Sequence, residues 1–266
     1  MKIAVCGKGG VGKTFIAGSL AETYAGCGNA VIAIDADSSP NLALTLQVLP
    51  AEAERIVPIA ENAELIRLKT GTDYPGVFRL TYTVDDIISK YGVKTPAGPS
   101  LLVMGTVRSM GSGCTCPAHS LVRALMRHLV VERDEFVILD MEAGLEHLGR
   151  GTADGVDIML VVTDANKKSR ETASAIIRLA RESSVRDIRI VGNRVSGLRE
   201  EELIGRCAAD NSVPLAAAIP YDNMVAEAGI TGEPVDHRNS PSIRIIRQLA
   251  EGLVYGNTNK NGSEIA

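Results

Sequence analysis

Eight residues near the start of the chain have the types and spacing to hold a polyphosphate. Gly7-Lys8-Gly9-Gly10-Val11-Gly12-Lys13-Thr14 matches G-x-x-x-x-G-K-[ST]. Glycines let the backbone wrap closely around phosphate oxygens with its N–H groups turned inward. Lys13 supplies charge to the β and γ phosphates, and the Thr14 hydroxyl suits a Mg²⁺ ion. The N-terminus of the helix that follows adds the positive end of its dipole. The four fixed positions arise by chance in about one chain in a hundred of this length. The same stretch satisfies G-x-G-x-x-G, with Asp35 roughly 20 residues on. A dinucleotide fingerprint, however, leaves the Lys-Thr pair unexplained. The expected ligand is ATP (or GTP) with Mg²⁺, hydrolysed as part of a switch.

Lys8 adds a second lysine near the start of the loop. Either it is solvated, or it reaches across a dimer interface to a neighbour's nucleotide and supplies charge in trans as an arginine finger does.

Two carboxylate-bearing strand ends complete the candidate nucleotide site. Val31-Ile32-Ala33-Ile34 runs into Asp35-Ala36-Asp37. A carboxylate at the carboxyl end of a parallel strand faces the ligand crevice. Asp37 is expected to polarise the attacking water and Asp35 to hold the Mg²⁺ shell, although D-x-D before Ser-Ser-Pro is also good turn chemistry. Phe136-Val137-Ile138-Leu139-Asp140 is four apolar residues and an aspartate, so Asp140 is expected to bind Mg²⁺ through water. Gly144 follows, where a flexible backbone could meet the γ phosphate.

A different chemistry is offered by Cys114-Thr115-Cys116-Pro117. Proline suits the first turn of a helix, which puts Cys116 at its cap, on the positive end of the dipole. Thiolates are favoured there, and thiolate sulfur suits a soft metal. Two thiolates do not close a tetrahedral site. The missing ligands come from His119 or from a symmetry-related copy of the pair, unless these are two ordinary surface thiols. C-x-C is not the C-x-x-C spacing of redox pairs. Cys6, Cys27 and Cys207 read as inert, and of the remaining histidines His147, just after Asp140, is the hardest to dismiss.

Positioning these groups requires a sheet. Apolar, β-branched runs over 2–6, 30–35, 101–104, 135–140, 157–162, 187–192 and 215–219 alternate with helical patterns near 13–26, 117–132, 168–183, 199–210 and 240–253. Strands apolar throughout are buried on both faces, as in a parallel sheet covered by helices. The expected fold class is α/β, a single doubly wound, mostly parallel sheet flanked by helices, spanning 1–255. Residues 50–100, broken by five prolines but carrying short helical pieces near 60–68 and 84–91, read as an irregular elaboration on that sheet. Residues 256–266 read as a polar, disordered tail.

Composition narrows the partners. A net charge of −4 and 3% aromatics favour neither a phosphate-backbone surface nor a base-stacking one. No apolar run reaches the length of a membrane span. We therefore expect a cytoplasmic protein whose five cysteines stay reduced, with no nucleic-acid and no membrane partner.

Taken together, K-G-G-V-G-K-T, D-A-D and F-V-I-L-D resemble the deviant Walker A ATPases: the nitrogenase iron protein, the cell-division and plasmid-partitioning ATPases, and the arsenite-pump and tail-anchor ATPases. The C-x-C pair and the stretch Glu146-His147-Leu148-Gly149-Arg150-Gly151 resemble one subgroup, the CooC-type nickel-insertion accessory ATPases of carbon monoxide dehydrogenase. The resemblance covers Met1 to about Tyr255. It implies an ATP-driven homodimer that binds Ni²⁺ or Zn²⁺ through Cys114 and Cys116 of both chains. It further implies Lys8 acting across the dimer, Asp37 as water activator, Thr14 on Mg²⁺, and Asn193 and Pro220 at the adenine. The implied client is carbon monoxide dehydrogenase or acetyl-CoA synthase. His147 falls where the iron protein has its second cluster cysteine, which argues against a bridging iron–sulfur cluster of that type. The competing readings are a septum-site or partitioning switch ATPase and an iron–sulfur carrier.

Overall fold

The computed structural model describes residues 1–261 apart from 38–40, 73–76, 80–82, 106–115, 133–134, 142–154, 183–184, 233–234 and 236–237. Eight strands form one sheet: β1 (Lys2–Gly7), β2 (Val31–Ala36), β3 (Val93–Lys94), β4 (Ser100–Val103), β5 (Phe136–Met141), β6 (Ile158–Thr163), β7 (Asp187–Val195) and β8 (Leu215–Pro220). Their order is β3-β4-β2-β5-β1-β6-β7-β8. Every described pairing is parallel except that of β3 with β4. The seven expected strands are all present, and the fold is the expected doubly wound one. β3 was not expected: two residues at a sheet edge leave no apolar run to detect.

The strands are buried because both faces are covered. Successive residues of a strand point to opposite faces, and the core divides accordingly. Ala4, Cys6, Ile32, Ile34, Val137 and Leu139 belong to one cluster, whereas Ile3, Val5, Val31, Ala33 and Ile138 belong to the other.

The helices are α1 (Lys13–Gly26), α2 (Leu42–Thr45), α3 (Pro50–Ala53), α4 (Ala63–Thr70), α5 (Ile87–Tyr91), α6 (Cys116–Arg127), α7 (Lys167–Arg181), α8 (Leu198–Asp210), α9 (Asn223–Thr231) and α10 (Pro241–Asn261). On one face α1 and α10 pack through Ile16, Leu20, Ile246, Leu249 and Leu253. On the other, α6, α7 and α8 pack through Leu121, Leu125, Ile176, Ile177 and Ile204. Leu65 of α4 and Ile87 of α5 join that second core, so these two helices pack on the sheet. The backbone of α10 stays helical past Tyr255 to Asn261, into the stretch that composition alone reads as a tail.

Candidate nucleotide site

The phosphate loop leaves the sheet at its centre. β1 lies between β5, with Val5 opposite Asp140, and β6, with Gly7 opposite Val162. Two glycines there are required by space. A Cβ on Gly7 would sit 2.3 Å from the Val162 carbonyl oxygen. Gly12 has φ +96°, and a Cβ on it would sit 2.3 Å from Asn193 Nδ2. The Val11 amide donates to the Lys8 carbonyl at 3.3 Å, and the Ile16 amide to Gly12 at 3.2 Å, which starts α1 from the loop. Lys13 is buried, with 5% of its surface exposed, while Lys8, Gly9 and Gly10 are exposed.

Three aspartates converge on this loop in different states. Asp35 on β2 stands opposite Asp140 on β5, and both are fully buried. Neither Asp140 oxygen has a hydrogen-bond partner. Burial pushes its carboxyl up to about 7; the charges of Asp35 and Asp37 push the same way, while Thr14 and Lys13 pull it down. The Thr14 hydroxyl is close enough to exert that pull without meeting hydrogen-bond geometry. Asp35 is also raised by burial, but its Oδ2 accepts from the Leu42 amide at 2.9 Å and its Oδ1 from the Asp37 amide at 3.2 Å. Asp37 is partly exposed, with Oδ2 3.8 Å from Lys13 Nζ.

A buried carboxylate without a partner, beside a threonine hydroxyl at a phosphate loop, fits Mg²⁺ bound together with a nucleotide. Among the described residues no three His, Cys, Asp or Glu side chains are grouped to hold a metal ion. Mg²⁺ would therefore take its remaining ligands from phosphates and water.

Beside the loop is a cavity of about 440 Å³ lined by Gly12, Phe15, Asn193, Arg194, Pro220 and Tyr221, among others. Asn193 is buried and donates from Nδ2 to the Val11 carbonyl at 2.8 Å. The pairing of β7 with β8 shifts register between Gly192 and Val195, and Arg194 there has φ +58°. That irregularity brings Asn193 and Arg194 to the cavity. The Pro220 carbonyl accepts from Ser242 Oγ at 3.0 Å. Asp222 caps α9 by accepting from the Met224 amide at 2.9 Å, and it also accepts from Ser240 Oγ at 2.6 Å. Phe15, Arg194 and Val225 were not foreseen as lining residues. An aspartate just before the helix formers of 223–228 was a legible cap signal for α9; nothing local marked Phe15 or Arg194.

Thus the loop, Asp37, Asp140, Asn193 and Pro220 gather at one end of the sheet. The cysteine pair is a separate matter. Cys116 is the first residue of α6 and Pro117 the second, and His119 on that helix is exposed. Cys114, Gly144 and His147 lie outside the described residues.

Comparison with known proteins agrees with this geometry. A family model described as the CobQ/CobB/MinD/ParA nucleotide binding domain matches residues 2–235. The carbon monoxide dehydrogenase accessory protein CooC of Rhodospirillum rubrum is 41% identical over 234 residues, 87% of this chain and 88% of that one. An uncharacterized ATP-binding protein of Methanocaldococcus jannaschii is 41% identical over 239 residues, 89% of this chain and 91% of the relative. The crystal structure of a ParA family ATPase from Chlorobium tepidum superposes with a TM-score of 0.67, covering 94% of this chain and 96% of that one. At 17% identity, that last match speaks for the fold alone.

Proposed function

The chain belongs to the CobQ/CobB/MinD/ParA nucleotide-binding family, and from that premise we propose that it is an ATP-hydrolysing, homodimeric metallochaperone that carries Ni²⁺ or Zn²⁺ and assists nickel insertion into carbon monoxide dehydrogenase or acetyl-CoA synthase. The observation that carries the nucleotide half is the buried, unpartnered Asp140 beside Lys13 and Thr14 at a loop where Gly7 and Gly12 have no room for a side chain. The metal half is supported by the Cys114-x-Cys116 sequence, whose second cysteine opens α6, and by 41% identity to a carbon monoxide dehydrogenase accessory protein.

In this reading the loop N–H groups and Lys13 bind the phosphates. Thr14 and Asp140 would hold Mg²⁺, which would supply positive charge to the phosphates. Asp37 orients the attacking water and polarises it by accepting its proton at a carboxylate oxygen. Lys13 Nζ, 3.8 Å from Asp37 Oδ2, lies between that carboxylate and the phosphates in this reading. Lys8 is exposed at the rim and adds charge to the partner's nucleotide. Asn193 and Pro220 bound the base. The two C-x-C pairs of a dimer offer four thiolates to the metal cargo, tetrahedral for Zn²⁺ or square-planar for Ni²⁺. Hydrolysis loosens the interface and frees the metal. No nucleic acid or membrane enters the cycle, which runs in the cytoplasm.

The test of the nucleotide half is ATP turnover by Lys13→Ala. The expected loss in kcat is about 10²–10³-fold, the scale for one preorganised charge in a phosphate site. A wild-type rate in that variant would overturn the assignment.

A further inference from the structure

We propose that Asp35 is a positioning residue that fastens both ends of the loop bearing Asp37, and that it does not ligate Mg²⁺. The proposal rests on the reading of Asp37 as the group that activates water.

The two adjacent carboxylates have opposite surroundings. Both Asp140 oxygens are buried and without a partner, whereas each Asp35 oxygen accepts a backbone amide. Those amides come from the two ends of one excursion of the chain. Asp37 lies two residues beyond Asp35 and Leu42 seven residues beyond it. The Asp35 backbone is itself fixed: its carbonyl accepts from the Met104 amide at 2.8 Å, and its position in the sheet is opposite Asp140 on one side and Val103 on the other. A single buried side chain thus ties the loop's start and finish to the centre of the sheet.

The far end of the tie is equally rigid. Leu42 is fully buried and opens α2, and α2 lies hard against α1. A Cβ on Gly18 of α1 would sit 2.4 Å from Thr45 Cγ2 and 3.4 Å from Leu42 Cδ1. α1 begins with Lys13, whose Nζ is 3.8 Å from Asp37 Oδ2. The circuit runs from Lys13 along α1 to Gly18, across to Thr45 and Leu42, through the Asp35 carboxylate to Asp37, and back to Lys13. A carboxylate is needed in it because two acceptor oxygens are used. An asparagine offers one.

The measurement is steady-state ATP hydrolysis by Asp35→Asn against both ATP and Mg²⁺ concentration, paired with amide hydrogen exchange at Leu42 and Asp37. Displacing a water-activating group by about 1 Å costs on the order of 10²-fold, so kcat should fall by about 10–100-fold. The ATP and Mg²⁺ concentrations for half-maximal rate should stay within about twofold of wild type, as for an interaction made only in the transition state. The Leu42 amide should exchange faster by at least about tenfold as the loop opens locally. A wild-type kcat overturns the proposal. So does a rise in the Mg²⁺ requirement that accounts for the lost rate, which would make Asp35 a metal ligand. Unchanged exchange at Leu42 overturns it as well. Should Asp35→Asn fail to fold, Gly18→Ala disturbs the same circuit from its other end and is expected to lower kcat with the Mg²⁺ requirement unchanged; a wild-type kcat there overturns the proposal. A wild-type protein that binds Mg·ATP but never hydrolyses it overturns the hydrolysis reading and this one with it. An active wild type with an unaffected variant overturns this one alone.

Discussion

The side-chain amide of Asn193 donates a 2.8 Å hydrogen bond to the carbonyl of Val11, joining the end of β7 to the phosphate loop 182 residues earlier. Gly12 leaves the space that this bond occupies. The cavity beside the loop and the phosphate loop therefore share a wall, and a residue lining that cavity holds the loop. Asn193→Ala removes a buried hydrogen bond and leaves the Val11 carbonyl without its donor. A cost of about 1–1.5 kcal/mol corresponds to roughly tenfold weaker ATP binding, measurable by nucleotide titration. Wild-type affinity would show that the bond does not shape the loop.

Lys8 is exposed and Lys13 buried, so only Lys13 is committed to its own chain's site. Lys8→Ala and Asp37→Asn should each abolish turnover, and Asp37→Asn should accumulate an ATP-bound dimer. Mixed in equal amounts, half of the dimers carry one chain of each kind, and each of those has one complete site of two. The mixture should then recover about one quarter of wild-type activity if Lys8 acts in trans. An inactive mixture, with exchange of chains shown by light scattering, would rule that role out.

Asp140 makes stability depend on pH. Its folded carboxyl keeps a proton up to about pH 7, whereas the unfolded chain ionises near 3.8. Between those values the folded state binds more protons, so raising the pH removes stability, fully so above 7. Nucleotide- and metal-free protein should melt at a lower temperature at pH 8 than at pH 6. Asp140→Asn should flatten that difference and raise the melting temperature at pH 8 by roughly 2–4 °C for each kcal/mol relieved. The variant should also lose the stabilisation that Mg²⁺ adds to ATP. A wild-type pH profile in Asp140→Asn would contradict the burial argument.

Much of this was legible in the sequence because its signals are local. The phosphate loop is contiguous, and the strands announce themselves as apolar runs covered on both faces. Asp37 and Asp140 follow from where a strand must end. Other features depend on partners far along the chain. Arg194 lines the cavity beside the loop at the register shift between β7 and β8. Asp35 looked like a Mg²⁺ residue by its neighbours in sequence. Its hydrogen-bond partners include the amide of Leu42, seven residues on, which no local pattern announces. α9 shows no fully buried residue, so it lacks the apolar stripe by which α7 and α8 were found.

In the proposed cycle the nucleotide switch carries a metal between two chains. The decisive measurement is metal analysis combined with light scattering, on wild type and on the Cys114→Ser, Cys116→Ser double variant. A site built from two thiolates per chain exists only when two chains meet. Metal should therefore promote dimerisation, and thiol ionisation should release protons on binding. ATP, by favouring the same dimer, should tighten metal binding by the factor by which metal tightens ATP binding. The expected result is one Ni²⁺ or Zn²⁺ per wild-type dimer and none in the double variant, which still binds ATP. A double variant that retains one metal per dimer would put the ligands elsewhere and rule out metal carriage by the two cysteine pairs.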